Sequence, residues 1–401
     1  MNTLKRLYCR TFQTVFKLAI PLLPYHSPKR LGSMEELVKK LKELKLNSVL
    51  LVTDKGIRSL GLTGHLEELL TQNNISCAVY DGTVANPTTD NVDEALSLYR
   101  QNGCQALIGF GGGSSMDCAK AVGACIARPH TPLMKMKGIL KVLRPLPPLF
   151  AVPTTAGTGS ETTLAAVITD AKTRIKYPIN DFPLIPGYAV LDPEVTRSLP
   201  PFITASTGLD ALTHAVEAYI GRSTTKRTRH AALKATNLIF HNLQKAYHDG
   251  NNMTARKNML RASYYAGVAF TVSYVGYVHA VAHSLGGCCN IPHGLANAVL
   301  LPVVLRDYGD TIHRKLHELA IAAGLSDAAE PDAAAAEKFI SAIEDMLDEF
   351  SLGRTLPGIK SKDIPALARH ADAEGNPLYP VPVLMNAKEL ERFYYAVQEE
   401  D

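Results

Sequence analysis

The sequence predicts an α/β N-terminal half built on a parallel sheet, followed by an all-α C-terminal half. Between residues 31 and 199, short apolar runs alternate with amphipathic helical segments, which is the pattern of a doubly wound parallel sheet. From residue 200 onward the strand pattern stops and helical periodicity takes over. Because 401 residues exceed one typical domain, we place a domain boundary between residues 199 and 200.

The overall composition excludes several classes of function. Hydrophobic residues make up 46% of the chain and charged residues 20%, as in globular proteins with a large core. The net charge of +4 is too small and too dispersed to indicate nucleic acid as a partner. No apolar run reaches the roughly 18 residues that a membrane span needs. Seven scattered cysteines without a C-x-x-C pair indicate a reducing compartment, so we expect a cytoplasmic protein.

A basic amphipathic arm, residues 1–30, precedes the α/β pattern. Its lysines and arginines are interleaved with apolar residues, and the first acidic residue is Glu35. Three interpretations stay open. The arm packs on the body or on a partner subunit, it lies on an anionic membrane surface, or it is a transit peptide, although it is poor in serine. The last interpretation would make the location organellar.

Each predicted element follows from its own periodicity. The strands are continuous apolar runs, as expected where both faces of a parallel sheet are covered. They lie at 48–53, 76–80, 106–110 and 149–153. The helices of this half lie at 34–44, 65–72 and 91–101, and a fourth follows the strand at 106–110 and ends at residue 124. The helices of the C-terminal half lie at 205–221, 226–249, 253–274, 279–285, 293–304, 310–323, 332–349 and 386–400.

Two turns at the ends of predicted strands are candidate ligand sites. The first, Gly-Phe-Gly-Gly-Gly-Ser-Ser-Met-Asp at 109–117, opens a helix, so its backbone N–H groups suit a phosphate. It departs from the usual dinucleotide fingerprint, since Ser114 stands where the last glycine should be, and a plain tight turn is the alternative. The second, at 154–161, is rich in hydroxyls and follows a strand, where α/β sheets bind ligands. A loop capped by Ser and Thr is its alternative.

Two helical segments offer candidate metal ligands. Asp210 and His214 are four residues apart and share one helix face, as do His279 and His283; His293 follows a proline at a predicted helix start. Carboxylate oxygen and imidazole nitrogen hold divalent metals, and three or four of these five side chains are enough for one site. Capping residues and hydrogen-bonded core histidines are the alternative. A cleft between the two halves is the expected active site.

Four motifs in this order and spacing resemble the iron-containing, group III alcohol dehydrogenases. They are Gly-Gly-Gly-Ser-Ser-Met-Asp at 111–117, Pro-Thr-Thr-Ala-Gly-Thr at 153–158, Gly-Leu-Asp-Ala-Leu-Thr-His at 208–214, and the histidine-rich stretch 279–293. The resemblance runs from about residue 31 to the C-terminus and leaves the arm outside. It implies the fold shared with dehydroquinate synthase, with a dinucleotide-binding domain at 31–199 and a metal-binding catalytic domain at 200–401. It also implies a homodimer or larger homo-oligomer.

The resemblance also implies roles for individual residues. One divalent metal, Fe(II) or Zn(II), is held by Asp210, His214, His279 and His293. His283 lies beside the nicotinamide as the catalytic residue and a candidate proton relay. The residues implied for NAD are Asp54, Asn86, Gly112, Gly113, Ser114, Asp117, Thr154, Thr155, Thr158 and Lys176. A carboxylate at Asp54 accepts hydrogen bonds from ribose hydroxyls and repels a 2′-phosphate, which favours NAD over NADP.

The implied activity is reversible hydride transfer between a small alcohol and its aldehyde or ketone. A hydroxyacid–oxoacid transhydrogenase with the same fold is the main alternative. A cyclase resembling dehydroquinate synthase needs Lys and Arg around the metal for a phosphorylated substrate, whereas the motifs here are flanked by small and apolar residues. A non-catalytic nucleotide-binding module is the remaining alternative.

Overall fold

The computed structural model describes residues 1–399, which form two compact units. One unit joins Met1–Leu23 to the described residues from Pro200 onward, and the other is Pro24–Leu199. The N-terminal arm is therefore divided between them. Its helix α1 (Thr3–Ala19) belongs to the helical unit, and residues 24–30 belong to the sheet unit.

The sheet unit is built on one parallel sheet. In chain order its elements are β1 (Lys29–Leu31), α2 (Met34–Glu43), β2 (Ser48–Val52), α3 (Lys55–Ser59), α4 (Gly64–Gln72), β3 (Ser76–Tyr80), α5 (Thr89–Gln101), β4 (Ala106–Gly111), α6 (Gly113–Ala127), β5 (Gly138–Ile139), β6 (Leu149–Pro153), β7 (Ala165–Thr169), β8 (Lys176–Asn180) and β9 (Tyr188–Val190). The sheet order is β1-β9-β6-β4-β2-β3, and every pairing in it is parallel. The predicted α/β half is confirmed.

Alternate residues of the central strands enter two different cores. Leu50 and Leu107 belong to the core on one face of the sheet, while Val49, Leu51 and Ile108 belong to the core on the other. Successive side chains of a strand point to opposite faces, so a strand covered on both sides must be apolar throughout. This is why the central strands were readable as continuous apolar runs.

A second, smaller sheet was not predicted. It has the order β5-β8-β7, with β7 and β8 antiparallel. Residues of β8 are alternately exposed and buried, and the strand contains Pro178. A proline within a short run argues against a strand, so the period-two pattern went unrecognised.

The other unit is built of helices, and Leu356 and Gln398 form one isolated β-bridge in it. After α1 its helices are α7 (Pro201–Ile220), α8 (Lys226–His248), α9 (Met253–Ser273), α10 (Tyr277–Cys289), α11 (His293–Tyr308), α12 (His313–Ala323), α13 (Asp332–Glu349), α14 (Ile364–Gly375) and α15 (Ala387–Val397). The last predicted helix extended to Glu400, which lies outside the described residues. Nearly every residue of α7 from Thr204 onward is buried, so α7 is the central helix of this unit. The predicted all-α half is confirmed.

Among residues 1–399, no single helix has the length and apolar character needed to cross a bilayer. One bent pair, Met253–Ser273 with Tyr277–Cys289, meets the requirement by length and composition when its two helices are taken together.

Candidate active site

Three helices of the helical unit bring four metal-ligating side chains together. Helix α7 supplies Asp210 and His214, α10 supplies His279, and α11 supplies His293 as its first residue. Each residue offers one ligand atom, and these atoms all lie within 4.8 Å of one another. Asp210 is at the centre, since its carboxylate oxygens lie 4.0 Å from Nδ1 of His214, 3.9 Å from Nε2 of His279 and 3.5 Å from Nε2 of His293.

Two glycines allow the helices to approach this closely. A Cβ at Gly294 would lie 2.7 Å from the backbone oxygen of Ser206, so only glycine seats the start of α11 against α7. A Cβ at Gly276 would lie 2.6 Å from a carboxylate oxygen of Glu217. Glycine therefore fixes the position of both helices that carry His279 and His293.

The donor set fits a divalent metal. Nδ1 of His214 and Nε2 of His279 are buried and have no hydrogen-bond partner among residues 1–399. Burying an unpaired nitrogen lowers the stability of the fold unless a metal accepts its lone pair. Burial lowers the pKa of His214, and it lowers the pKa of His279 well below the usual value. Both rings are therefore neutral, as metal ligation requires. Three imidazoles and one carboxylate suit Fe(II) or Zn(II).

Glu217 lies directly behind His279. One of its oxygens is 2.6 Å from Nδ1 of His279, and the other accepts a hydrogen bond of 2.8 Å from the N–H of Val278. Burial raises the pKa of Glu217 to about 7. This contact holds the His279 ring with Nε2 turned toward Asp210, an arrangement that orients metal-bound histidines in other proteins.

His283 is next to the four ligands but belongs to a different hydrogen-bonded group. Its ring stacks on that of His293, with centroids 5.1 Å apart. Nδ1 of His283 is 2.6 Å from Oε1 of Glu374, and the hydroxyl of Tyr379 donates to the same oxygen at 2.6 Å. Burial acts to raise the pKa of Glu374, but His283 and the Tyr379 hydroxyl outweigh it, so the pKa lies below the usual value.

The N-terminal arm supports the loop that carries Tyr379. The side-chain amide of Gln13 donates to the backbone oxygens of Pro377 and Tyr379, at 3.3 and 2.7 Å. The guanidinium of Arg10 donates to the backbone oxygens of Val381 and Pro382, each at 2.8 Å. Helix α1 of the arm is thus part of the helical unit, which contains the candidate metal ligands.

The glycine-rich turn of the sheet unit opens α6 as predicted. Gly112 is the residue before the helix, and Gly113 and Ser114 are in its first turn. Gly111 has a φ of 147°, and a Cβ there would lie 2.6 Å from the hydroxyl of Ser115, so glycine is required. Exposed N–H groups at a helix start attract phosphate.

The other predicted cofactor residues of this unit surround the same turn. Thr154 donates its N–H to the backbone oxygen of Gly111, and the side chain of Thr158 lies beside Gly113. Thr155 is between them in the same loop and is half-buried. Asp54 begins α3, where its carboxylate accepts the N–H of Ile57 and a 3.4 Å hydrogen bond from Ser115.

Asn86 and Lys176 form a pair at the edge of this group. The ammonium of Lys176 donates to the side-chain oxygen of Asn86 at 2.7 Å, and the N–H of Asn86 donates to Ser114 at 3.3 Å. Both side chains are exposed, and the φ of Asn86 is 58°. Seven of the ten predicted cofactor residues therefore border the start of α6 by direct contact or by position in its first turn: Asp54, Asn86, Gly112, Gly113, Ser114, Thr154 and Thr158.

Asp117 is engaged in internal hydrogen bonds. Its two oxygens accept from the hydroxyl of Ser160 at 2.9 Å and from the N–H of Val167 at 3.0 Å. The fully buried ammonium of Lys120 is 3.9 Å away and donates to Ser160, Thr163 and the backbone oxygen of Ala165. Burial lowers the pKa of Lys120 to about 8. This network fastens the hydroxyl-rich loop to α6.

Sequence reasoning missed four residues of the site, one of which is Asn297, whose side-chain amide donates to Asp210 at 2.7 Å. Glu217 is three residues after His214 on the same helix, so an acidic residue on that face was a readable signal. Glu374 and Tyr379 lie about ninety residues beyond His283 in the chain, and no local pattern connects them to it. Only the packing of α14 against α10 brings them together.

Comparison with known proteins agrees with this geometry. A family model described as iron-containing alcohol dehydrogenase matches residues 29–193, and one for the C-terminal domain of Fe-containing alcohol dehydrogenases matches residues 204–397. The chain belongs to the iron-containing alcohol dehydrogenase family. The resemblance inferred from the motifs is confirmed, and so is the expectation of an NAD-dependent oxidoreductase with a metal centre.

Individual relatives cover nearly the whole chain. It is 38% identical to the 1,3-propanediol dehydrogenase of Klebsiella pneumoniae, over 90% of this chain and 94% of that protein. It is 35% identical to the NAD-dependent methanol dehydrogenase of Bacillus methanolicus, over 85% of this chain and 90% of that protein. A solved 1,3-propanediol oxidoreductase is 37% identical, with a TM-score of 0.88 over 92% of this chain and 98% of that one. This iron-containing alcohol dehydrogenase therefore shares both domains of the family.

Proposed function

We propose that this protein catalyses NAD(H)-linked, reversible oxidation of small alcohols at the centre formed by Asp210, His214, His279 and His293. The single observation that carries the proposal is the convergence on the Asp210 carboxylate of two buried imidazole nitrogens that have no hydrogen-bond partner among residues 1–399. Fe(II) or Zn(II) bound there supplies the Lewis acidity that lowers the pKa of an alcohol hydroxyl, and NAD supplies the hydride acceptor.

The protein's own side chains position the metal and handle the proton. Glu217 fixes the orientation of His279, and Asn297 donates a 2.7 Å hydrogen bond to Asp210. His283, held at Nδ1 by Glu374, offers an imidazole for a proton relay with substrate or water. His283 is therefore the proposed catalytic residue.

We propose that NAD is bound at the start of α6. The N–H groups of Gly112, Gly113 and Ser114 face the pyrophosphate, and Thr154, Thr155 and Thr158 line the nicotinamide side. Asp54 meets the ribose hydroxyls and disfavours a 2′-phosphate. Asn86 and Lys176 contact the cofactor as a hydrogen-bonded pair, and Asp117 acts indirectly by holding the loop at 154–161.

The proposed substrates are short primary alcohols and diols. Two relatives carry the names of a propanediol and a methanol dehydrogenase. Next to the metal ligands, the Phe270 ring stacks on His214 with centroids 4.1 Å apart, so one wall of the site is apolar. An apolar wall suits a short alkyl chain better than a charged one.

We further propose a cytoplasmic homodimer or larger homo-oligomer. All seven cysteines lack a disulfide partner, which supports a reducing compartment. The family resemblance supports the oligomer. Light scattering coupled to size-exclusion chromatography measures the oligomeric state directly.

The deciding experiment is NADH formation by protein reconstituted anaerobically with Fe(II) or Zn(II). Short alcohols, diols and 2-hydroxy acids are compared, and His279→Ala serves as the ligand-deficient variant. Metal-dependent NADH with short alcohols, together with loss of both metal and activity in His279→Ala, supports the proposal. Absence of free NADH, with hydride passing only between a hydroxy acid and an oxo acid, would show a transhydrogenase instead. A metal-replete protein that is inert to every alcohol would show a binding module.

A further inference from the structure

Helix α1 presents an apolar face to solvent. Leu4, Leu7, Tyr8, Val15 and Leu18 are 80%, 64%, 60%, 61% and 72% exposed. Their spacing places them on one side of the helix, with Thr11 as the polar member of that side, and Leu22 continues the face at 86% exposure. An exposed apolar surface of this length marks an interaction site more often than chance exposure.

The opposite face of α1 is fixed to the helical unit. Cys9, Gln13 and Ile20 are 1%, 4% and 5% exposed. Gln13 and Arg10 hold the loop at 377–382 through the hydrogen bonds described above. Because these contacts set the rotation of the helix, the apolar face is directed outward by the fold.

Basic charge accompanies the apolar face. Arg6 and Lys17 are exposed on the flank between the apolar face and the fixed face of α1, nearer the fixed face, and α1 contains no acidic residue. The acidic groups near the arm are already engaged, since Asp372 pairs with Lys5 at 2.9 Å and Glu389 pairs with the N-terminal ammonium at 3.2 Å.

We propose that α1 docks this protein on the surface of an anionic phospholipid bilayer. The apolar face enters the boundary between headgroups and acyl chains, and the basic flank meets the phosphates. A second copy of the chain fits the face less well. Two-fold pairing of α1 would bring basic flanks together, and the helix offers no acidic side chain to neutralise them. Anionic lipid supplies that missing negative charge.

The test is co-sedimentation of the full-length protein with vesicles. Vesicles of phosphatidylcholine alone are compared with vesicles that also contain phosphatidylglycerol, at low and at high salt. We expect binding to the anionic vesicles, weakened by salt because exposed charges are screened. Leu7→Glu combined with Leu18→Glu should lower the partition coefficient at least roughly a hundredfold. Arg6→Glu combined with Lys17→Glu should lower it roughly tenfold or more.

The matched control is Ile139→Glu combined with Leu143→Glu, which changes two exposed apolar residues of the sheet unit. This control should bind vesicles as the wild type does, and all variants should keep their dehydrogenase activity and melting temperature. Failure of the wild type to bind anionic vesicles at low salt would overturn the proposal. So would binding that the α1 variants leave unchanged. A self-association that Leu7→Glu and Leu18→Glu abolish, without vesicle binding, would show that a second copy covers the face.

Discussion

Glu217 and His279 form a buried pair, with 2.6 Å between the carboxylate and Nδ1 of the ring. The pair determines which nitrogen of His279 faces Asp210, so it would orient this ligand toward a bound metal without contacting the metal itself. Burial of both side chains makes the contact sensitive to the charge of Glu217.

We predict that Glu217→Gln weakens metal binding by about tenfold to hundredfold, since removing a carboxylate behind a ligating histidine has effects of this size. Metal content after dialysis against a graded chelator measures the change. Glu349→Gln is the control, because Glu349 also lies 2.7 Å from a histidine nitrogen, that of His248, at the surface. Unchanged metal retention in Glu217→Gln would show that the pair is not needed for the metal.

Glu374→Gln and Tyr379→Phe should each lower kcat, by roughly tenfold, because orientation of His283 is lost while the ligands stay in place. Metal content should not change. Tyr394→Phe is the control, since its hydroxyl contacts Ser284 on the same helix as His283 without reaching Glu374. If metal were lost together with kcat, the effect would be on the ligands and not on His283.

The arm gives a prediction on stability as well as on activity. Gln13→Ala leaves two backbone oxygens of the loop at 377–382 without their donor, so we expect a loss of about 1–3 kcal/mol in the free energy of unfolding. A fall in kcat should accompany it, because Tyr379 is on this loop. Denaturant unfolding and steady-state kinetics measure the two effects.

The control for Gln13 is Thr14→Ala, which removes an exposed hydroxyl bonded only within α1. Equal stability and kcat in Gln13→Ala and wild type would mean that the arm is dispensable for catalysis. That result would favour the interpretation of the arm as a removable transit peptide.

Glu161 predicts a pH dependence of stability. Its carboxylate is buried without a hydrogen-bond partner among residues 1–399, and burial raises its pKa from 4.5 to about 7. Between these pH values the folded state binds more protons than the unfolded state, so stability falls as pH rises. The contribution of Glu161 to the free energy of unfolding is complete below pH 4.5 and is lost as pH passes 7.

Glu161→Gln stays neutral and should remove this dependence. We expect the free energy of unfolding of the variant to equal that of the wild type near pH 4.5. Above pH 7 it should be larger than that of the wild type, by up to about 3 kcal/mol. Denaturant unfolding across this pH range measures the difference, and Glu194→Gln at the surface is the control. If the difference in the free energy of unfolding between Glu161→Gln and the wild type did not grow with pH, the pKa of Glu161 would not be raised by folding.

Asp54→Asn should weaken the preference for NAD over NADP. Asparagine also caps helices well, so α3 is kept while the negative charge is removed. We expect kcat/KM with NADP to rise by roughly tenfold, with a smaller change for NAD. Asp90→Asn, at an exposed helix start, is the control. A wild-type enzyme that already prefers NADP would contradict the role given to Asp54.

Part of the site was readable from local sequence alone. Asp210 with His214 and His279 with His283 are one helical turn apart, so periodicity indicated that each pair shares a face. The glycine-rich turn at 111–117 was readable because it follows an apolar strand and opens a helix. The sheet β7–β8 was not, because Pro178 interrupts a short strand with a weak pattern.

The sequence alone determined the α/β and all-α halves, the class of ligand atoms and the resemblance to a metal-dependent family. Those properties depend on periodicity and on side-chain chemistry, which are local. Only the tertiary structure decided that Glu217 supports His279, that Glu374 holds His283, and that the arm supports the loop at 377–382. These contacts join residues far apart in the chain, and their existence depends on how α7, α10 and α14 pack. No local pattern carries that information, because packing is decided by the whole core at once.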